Sequence, residues 1–283
     1  MNDVSLKAKI RNIAKQKNLP AMVILQNYLF ERFLLRLSMT EYKEKFVIKG
    51  GTLISSIIGL DNRTTMDLDT TLKNLPLNAE SIQKAVLEIC EKDIEDGIIF
   101  EYKGLSPIRD DDLYGGFKVS FTAHYGKINA PMSMDVSTGD VMTPGAELRQ
   151  FSKMFESDTF SLWTYNIETV LGEKVETILS RNIYSTRPRD FYDVYAISKN
   201  CDYNKELFFK ALNATAEHRG SVEAICDVKG LMNVMSNSKD LQKLWEKYRK
   251  QFVYAAEIEY NMIMTALEEI LMGFEMNFQK KIG

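Results

Sequence analysis

One short stretch, residues 46–69, constrains the fold of this 283-residue chain more than any other. It reads FVIKGGTLISSIIGLDNRTTMDLD, in which two apolar runs flank a double glycine and a pair of aspartates closes the segment. The first run predicts a core strand over 46–48 that ends at Gly50 and Gly51. The second run predicts a helix over 53–58, closed by Gly59, and residues 66–71 predict the next strand. A strand, a tight turn, a helix and a second strand therefore follow one another here.

Asp67 and Asp69 are separated by one residue within the second predicted strand. Side chains alternate along a strand, so both aspartates should face one side while Met66 and Leu68 anchor the other. Carboxylates about 6–7 Å apart repel each other unless a cation lies between them. Mg²⁺ suits such a pair because it binds one or two carboxylates together with substrate phosphates. The alternative is an edge pair that faces solvent or binds arginine.

Gly50, Gly51 and Thr52 predict a backbone turn that can approach a ligand closely. The helix that opens at Thr52 would present unpaired N–H groups, which bind phosphate well. Thr52 could cap this helix, contact phosphate, or do both. An ordinary turn between a strand and a helix would use the same glycines.

The composition favours a folded enzyme-sized protein and excludes several other classes. Hydrophobic residues make up 45% of the chain, enough for a substantial core. Three scattered cysteines indicate reduced thiols rather than a disulfide framework, and two histidines argue against a histidine-ligated zinc site. The N-terminal region has no apolar signal segment, and no window approaches 18 apolar residues. We expect a cytoplasmic protein with no membrane partner.

The pattern of elements changes near residue 158. Strands are predicted at 98–102, 116–125 and 132–136, the last two as an antiparallel pair joined through Gly126 and Lys127. Helical spacing dominates afterwards, over 166–183, 189–200, 204–216, 220–235, 239–252 and 254–275. We therefore predict an α+β domain with N-terminal helices over 1–158 and an all-helical domain over 159–283, with a cleft between them.

Four motifs occur in an order that resembles a known family. They are FVIKGGT at 46–52, RTTMDLD at 63–69, Lys174 within GEKVETILSR, and RPRDFYD at 187–193. Together with Asp135 between Met134 and Val136, they resemble the DNA polymerase β-like nucleotidyltransferase superfamily. More narrowly, they resemble the AbiEii/AbiGii toxin family. The resemblance spans roughly residues 5–200, and its specificity comes from the combination rather than from any single motif.

This resemblance implies a polymerase β-like nucleotidyltransferase core and assigns roles to individual residues. Asp67 and Asp69 would hold Mg²⁺, and Asp135 would be the third acidic group, with Asp140 as the alternative. The nucleotide would be bound by Gly50, Gly51, Thr52, Thr65, Lys174, Arg187 and Arg189. Lys174 and Asp190 would be catalytic.

For Lys174, Asp190 and Asp193 the sequence also allows purely structural roles. Lys174 could instead be a helix-surface lysine paired with Glu173 or Glu176. Asp190 and Asp193 could instead stabilise a helix N-terminus.

The function implied by the resemblance is that of a toxin in a bacterial abortive-infection toxin–antitoxin system, active in phage defence. It would transfer a nucleoside monophosphate from an NTP to the 3′ end of tRNA and so block translation, and its partner would be a cognate antitoxin. The net charge of −3 requires a local basic set for RNA, namely Lys174, Arg181, Arg187 and Arg189. The rival hypotheses are a nucleotidyltransferase that modifies a small molecule or a protein, and a regulatory module that binds NTP without transferring it.

Overall fold

A computed structural model describes residues 2–108 and 115–274 of the chain. The chain divides into two compact units. The first comprises Met1–Asp140 and Ala146–Tyr165, and the second comprises Val141–Gly145 and Asn166–Gly283.

The described residues of the first unit form a seven-stranded mixed sheet in the order β3-β4-β5-β2-β1-β7-β6. The strands are β1 Phe46–Lys49, β2 Leu68–Leu72, β3 Ile99–Pro107, β4 Phe117–Tyr125, β5 Ile128–Thr138, β6 Glu147–Ser152 and β7 Thr159–Thr164. Strand β2 runs antiparallel to β1 and parallel to β5, whereas β7 runs parallel to β1. This order places β2, which carries Asp69, near the middle of the sheet.

The helices of the first unit are α1 Asp3–Lys17, α2 Ala21–Ser38, α3 Gly50–Ile58 and α4 Ala79–Glu91. Helix α1 begins where the side chain of Asn2 accepts a hydrogen bond from the backbone of Ser5, and Pro20 separates it from α2. Helix α2 contributes much of the core. Its Phe33 stacks on Phe121 of β4 with 4.7 Å between ring centroids, which packs the helix against the sheet.

The described residues of the second unit are mainly helical. The helices are α5 Ile167–Arg181, α6 Pro188–Asn200, α7 Lys205–Arg219, α8 Val228–Ser236, α9 Lys239–Gln251 and α10 Tyr260–Leu271. Asn166 caps α5 by accepting a hydrogen bond from Thr169 N at 2.7 Å. Pro188 occupies the first turn of α6, where its missing N–H removes no hydrogen bond.

The predicted α+β fold with C-terminal helices is confirmed, and so is the antiparallel pair of β4 and β5 through Gly126. The sequence analysis predicted no strand over 147–164, where the structure has the hairpin of β6 and β7, and β7 belongs to the first unit. The boundary at 158/159 stays a prediction about independent domains.

Two helices also differ from their predicted ranges. Helix α8 begins only at Val228, because the Asp227 side chain caps it at Gly230 N. Helix α10 begins at Tyr260 rather than at 254, and residue 275 lies outside the described residues.

A membrane-crossing segment was not expected from the sequence. Within 2–108 and 115–274, no helix has the length and apolar character needed to cross a membrane.

Candidate active site

The double glycine forms the start of α3, directly after β1, and brings the backbone against an acidic side chain. Gly50 has a φ of +61°, and a Cβ atom added there would lie 2.0 Å from Oδ2 of Asp69. At Gly51 the nearest atom to an added Cβ would be Oγ1 of Thr65, at 2.8 Å. Neither position has room for a side chain, so the glycines permit this close approach.

Asp69 is joined directly to the turn. The backbone N–H of Gly51 donates a hydrogen bond to Oδ2 of Asp69 at 3.3 Å. Asp69 also stands opposite Lys49 of β1 and opposite Asp135 of β5. The strand of Asp135 therefore adjoins the strand that carries Asp69.

Asp67 lies just outside the strand in which it was predicted. Strand β2 begins at Leu68, so Asp67 occupies a bend, and the side chain of Met66 is 44% exposed rather than anchored in the core. Leu68 is fully buried, as expected. The hydroxyl of Ser133 on β5 donates to Oδ1 of Asp67 at 3.4 Å.

Two buried threonines fix the backbone at Asp67. Oγ1 of Thr52 and Oγ1 of Thr65 each donate a hydrogen bond to the carbonyl oxygen of Asp67 at 3.0 Å. Thr52 belongs to α3, so it ties the helix to the bend. The proposed contact of either hydroxyl with phosphate stays a prediction; in this structure both hydroxyls hold the aspartate in place.

The two candidates for a third acidic group are both paired with lysine. Nζ of Lys118 on β4 lies 3.0 Å from Oδ1 of Asp135. Nζ of Lys49 lies 2.6 Å from Oδ2 of Asp140, which also accepts a hydrogen bond from Ser137 at 2.8 Å. Met134 and Val136 flank Asp135 and are fully buried. They share the face of β5 that points into the core, so Asp135 lies on the opposite face.

The charges of this cluster affect one another. Burial disfavours the ammonium of Lys118, but its hydrogen bond with Asp135 and the charges of Asp135, Asp67 and Asp69 together raise the pKa of Lys118 above its ordinary value. Burial would likewise raise the pKa of Asp140, but the charge and hydrogen bond of Lys49 and the hydrogen bond of Ser137 lower it to about 2.

Asp67 and Asp69 are the candidate ligands for a divalent cation, and the charges of both act on the ammonium of Lys118. Among the residues that the structure describes, no group of three or more His, Cys, Asp or Glu side chains is arranged to hold a metal ion. Two carboxylates suffice for Mg²⁺ when phosphate and water complete its coordination. Asp67 and Asp69 remain the residues that could supply them, next to the glycine turn.

The second unit contains a separate cluster of charges at the start of α6. Nζ of Lys174 on α5 lies 2.6 Å from Oδ1 of Asp190 and 2.9 Å from Oδ2 of Asp193. Nε of Arg187 lies 2.9 Å from Oδ2 of Asp190. Both aspartates are buried, with side chains 2% and 0% exposed, whereas Arg187 and Arg189 are exposed.

This cluster corrects one alternative for Lys174 and adds a residue to the group. Lys174 pairs with Asp190 and Asp193 on the next helix, so it is not only a surface lysine of α5. Asp193, read from the sequence as a helix-start residue, is part of the same ion-pair network. Nucleotide binding by Lys174, Arg187 and Arg189 stays a prediction.

Lys118 and Ser133 were missed by the sequence reasoning. Lys118 lies on an alternating strand, and its position opposite Asp135 could be found only by aligning β4 and β5 outward from their turn at Gly126. To find Ser133 from the sequence, one would also need to know that β2 pairs with β5.

Comparisons with solved structures find two Helicobacter pylori proteins among the matches. One is a candidate nucleotidyltransferase, with a TM-score of 0.46, 17% identity and coverage of 89% of this chain and 99% of that chain. The other is JHP933, with a TM-score of 0.45, 18% identity and coverage of 87% and 94% respectively. No curated protein matches the chain.

A comparison with protein families gives a match over most of the chain. The family described as "Nucleotidyl transferase AbiEii toxin, Type IV TA system" matches residues 32–271. The matched range includes the glycine turn, Asp67, Asp69 and the charge cluster of α5 and α6. The chain therefore belongs to the AbiEii nucleotidyl transferase toxin family of type IV toxin–antitoxin systems.

Proposed function

We propose that the protein transfers a nucleoside monophosphate from an NTP to the 3′ end of tRNA, with Mg²⁺ held by Asp67 and Asp69. The observation that carries this proposal is the hydrogen bond from Gly51 N to Asp69 Oδ2. It places the first turn of α3, whose N–H groups suit phosphate, beside the carboxylate that would hold the cation. Family membership supports the NTP substrate and the antitoxin partner.

The residues of the chain have separate tasks in this reaction. Gly50, Gly51 and Thr52 would bind the phosphates through the turn and the first turn of α3. Thr65 would hold the backbone of Asp67 so that its carboxylate keeps one orientation, as its 3.0 Å hydrogen bond already does. When bound, Mg²⁺ supplies charge neutralisation for the phosphoryl group and for the departing pyrophosphate.

Lys174, Arg187 and Arg189 are the proposed phosphate-binding cations. Lys174 is held in a fixed orientation by its two ion pairs, and Arg187 extends from Asp190 toward solvent with its side chain 49% exposed. We propose that Asp190 positions Lys174 and Arg187, and that it is also a catalytic residue. Asp135 is paired with Lys118, so we assign it no proton transfer.

Transfer to tRNA would block aminoacylation and translation, which accounts for toxicity and for a role in phage defence. The acceptor needs only a few basic side chains, and exposed Arg189 with partly exposed Arg181 are suitable. Binding should weaken with salt by a slope that reflects a few phosphate contacts.

The test uses purified full-length protein, each α-labelled NTP and total RNA. We expect label at the 3′ end of tRNA with one or more NTPs, and none with Asp67→Asn or Asp69→Asn, both of which should fold normally. Label on a small metabolite or a protein instead would contradict the tRNA acceptor. Retention of intact NTP without transfer would indicate the regulatory module.

Charge reversal separates RNA binding from nucleotide binding. Arg181→Glu should reduce RNA labelling more than NTP affinity, which equilibrium titration with NTP measures. Arg189→Glu should reduce both, because Arg189 is also a proposed phosphate-binding cation. Lys243→Glu on α9 is the matched control, because that side chain is 78% exposed and lies outside the basic set. Equal loss in all three variants would show that only net charge matters.

A further inference from the structure

Four charged residues form a row across neighbouring strands of the first unit. Lys118 of β4 is opposite Asp135 of β5, Asp135 is opposite Asp69 of β2, and Asp69 is opposite Lys49 of β1. Directly opposed residues on adjacent strands project from the same face of a sheet. One face therefore carries two adjacent carboxylates with a lysine on either side.

The two lysines of this row have different partners. Lys49 pairs with Asp140, which lies after the end of β5. Lys118 pairs with Asp135 itself, at 3.0 Å, and its charge also interacts with those of Asp67 and Asp69. Lys118 therefore pairs with one carboxylate of the row and also interacts electrostatically with both aspartates of the candidate metal site.

The side chains of this pair are partly accessible, 40% exposed for Lys118 and 29% for Asp135. A lysine ammonium is a compact charge on a flexible stem, so it can stay near the carboxylates while the nucleotide binds. A divalent cation close to Asp135 would be repelled by the positive charge of Lys118. The same repulsion lowers, more weakly, the affinity of an ion at Asp67 and Asp69.

We propose that Lys118 is a positioning residue that acts as a built-in counter-cation: it neutralises Asp135 and limits the site to one divalent ion, held by Asp67 and Asp69. This inference rests on the proposed metal site. Asp135 then serves to hold Lys118, rather than to bind a second ion. The ammonium takes the place that a second metal ion would need.

Mn²⁺ titration of the full chain, followed by the electron paramagnetic resonance signal of free Mn²⁺, tests the inference without any measurement of transfer. Wild type should bind one ion per chain. Lys118→Met should bind a second ion and should bind the first about tenfold more tightly, as removal of a positive charge a few ångströms from a partly hydrated site predicts. Lys118→Arg, which keeps the charge, should bind like wild type.

Lys103→Met is the matched control, because Lys103 is an exposed lysine on neighbouring β3 that pairs with Glu101 at 2.6 Å. It should leave Mn²⁺ binding unchanged. A Lys118→Met protein with wild-type stoichiometry, and with an affinity within about twofold of wild type, would overturn the inference. Loss of binding in Asp67→Asn would then still support the proposed function, whereas unchanged binding in both Asp67→Asn and Asp69→Asn would contradict the metal site itself.

A double variant separates the two roles of Asp135. In Asp135→Asn the freed ammonium of Lys118 can pair with Asp67 or Asp69, so Mn²⁺ affinity should fall. Adding Lys118→Met should restore it to the wild-type level or above. If the double variant binds no better than Asp135→Asn alone, Asp135 is a metal ligand and the inference is wrong. Thermal unfolding of each variant checks that it is folded.

Discussion

The ammonium group of Lys49 lies 2.6 Å from Oδ2 of Asp140 and ties the end of β1 to the segment after β5. Both side chains are largely buried, at 18% and 19% exposure. Ser137 adds a hydrogen bond to the same carboxylate. Lys49 immediately precedes Gly50, so this ion pair helps to fix the position of the glycine turn.

Asp140→Asn should destabilise the protein most near neutral pH. Burial opposes the charged carboxylate, but Lys49 and Ser137 lower the pKa of Asp140 from 3.8 to about 2. A lowered pKa contributes stability above the unfolded value, and this contribution is lost as pH falls from about 4 to about 2. We expect a loss of about 2 kcal/mol at pH 7, from the size of the shift.

Urea unfolding at pH 7 and at about pH 2.5 measures this difference. The gap between wild type and Asp140→Asn should shrink at the lower pH. The control is Asp240→Asn, whose carboxylate is 88% exposed and should show little effect. A gap of equal size at both pH values would exclude the ion pair as its source.

Lys174→Met should destabilise the second unit as well as weaken NTP binding. It leaves the buried carboxylates of Asp190 and Asp193 without their lysine, and breaking such a pair typically costs about 3–5 kcal/mol. The double variant Lys174→Met with Asp193→Asn removes one charge of each sign, so it should recover part of the stability. Chemical denaturation and NTP titration are measured on the same preparations.

The double variant decides what Lys174 does. If its stability recovers while NTP affinity stays low, the lysine acts on the nucleotide. Recovery of both would indicate that Lys174 only maintains the structure around α6.

Gly50→Ala should abolish metal binding and transfer. The new Cβ would lie 2.0 Å from Oδ2 of Asp69, so the carboxylate must move. A displacement of about 1 Å at a catalytic group can reduce the rate by about 100-fold. Gly220→Ala is the matched control: its φ of +65° resembles the +61° of Gly50, but an added Cβ meets nothing within 4 Å.

Both alanine variants should lose about 1–2 kcal/mol of stability from the left-handed backbone. Only Gly50→Ala should lose Mn²⁺ binding. Normal Mn²⁺ binding by Gly50→Ala would mean that Asp69 is not a ligand in the position described.

Glu31→Gln should stabilise the protein at alkaline pH. The Glu31 side chain on α2 is 10% exposed, and burial raises its pKa to about 7 against the opposing charge of Arg32. A raised pKa means that the favourable contribution is present below about pH 4.5 and is lost as pH rises through 7. Glutamine resembles the protonated form, so the gain at pH 8 should approach about 3 kcal/mol.

Thermal unfolding of wild type and Glu31→Gln between pH 4 and pH 8 checks this expectation. The two melting temperatures should converge at the acidic end and separate at the alkaline end. A glutamine variant that is less stable at pH 8 would show that Arg32 and the Met154 N–H favour the charged carboxylate.

Several features of the fold could be predicted from the sequence, because they depend on residues close together in the chain. The apolar runs before and after Gly50 and Gly51 predicted β1 and α3 respectively, and the 3.6-residue periodicity after Asn166 predicted α5. The spacing of Asp67 and Asp69 predicted an acidic pair. Each of these signals is read within a few residues, because helix caps, turns and side-chain alternation are local properties of the backbone.

Contacts between side chains that are distant in the sequence could not be predicted, because they depend on how the strands are arranged. Lys49 and Asp140 are 91 residues apart, and their contact depends on the arrangement of β1, β2 and β5. Lys118 reaches Asp135 because of the register between β4 and β5. A shift of one residue would move every side chain of the strand to the other face of the sheet. The hairpin of β6 and β7 was missed for a related reason: most of β6 is exposed, so its sequence shows little apolar alternation, and pairing with β7 rather than local pattern makes it a strand.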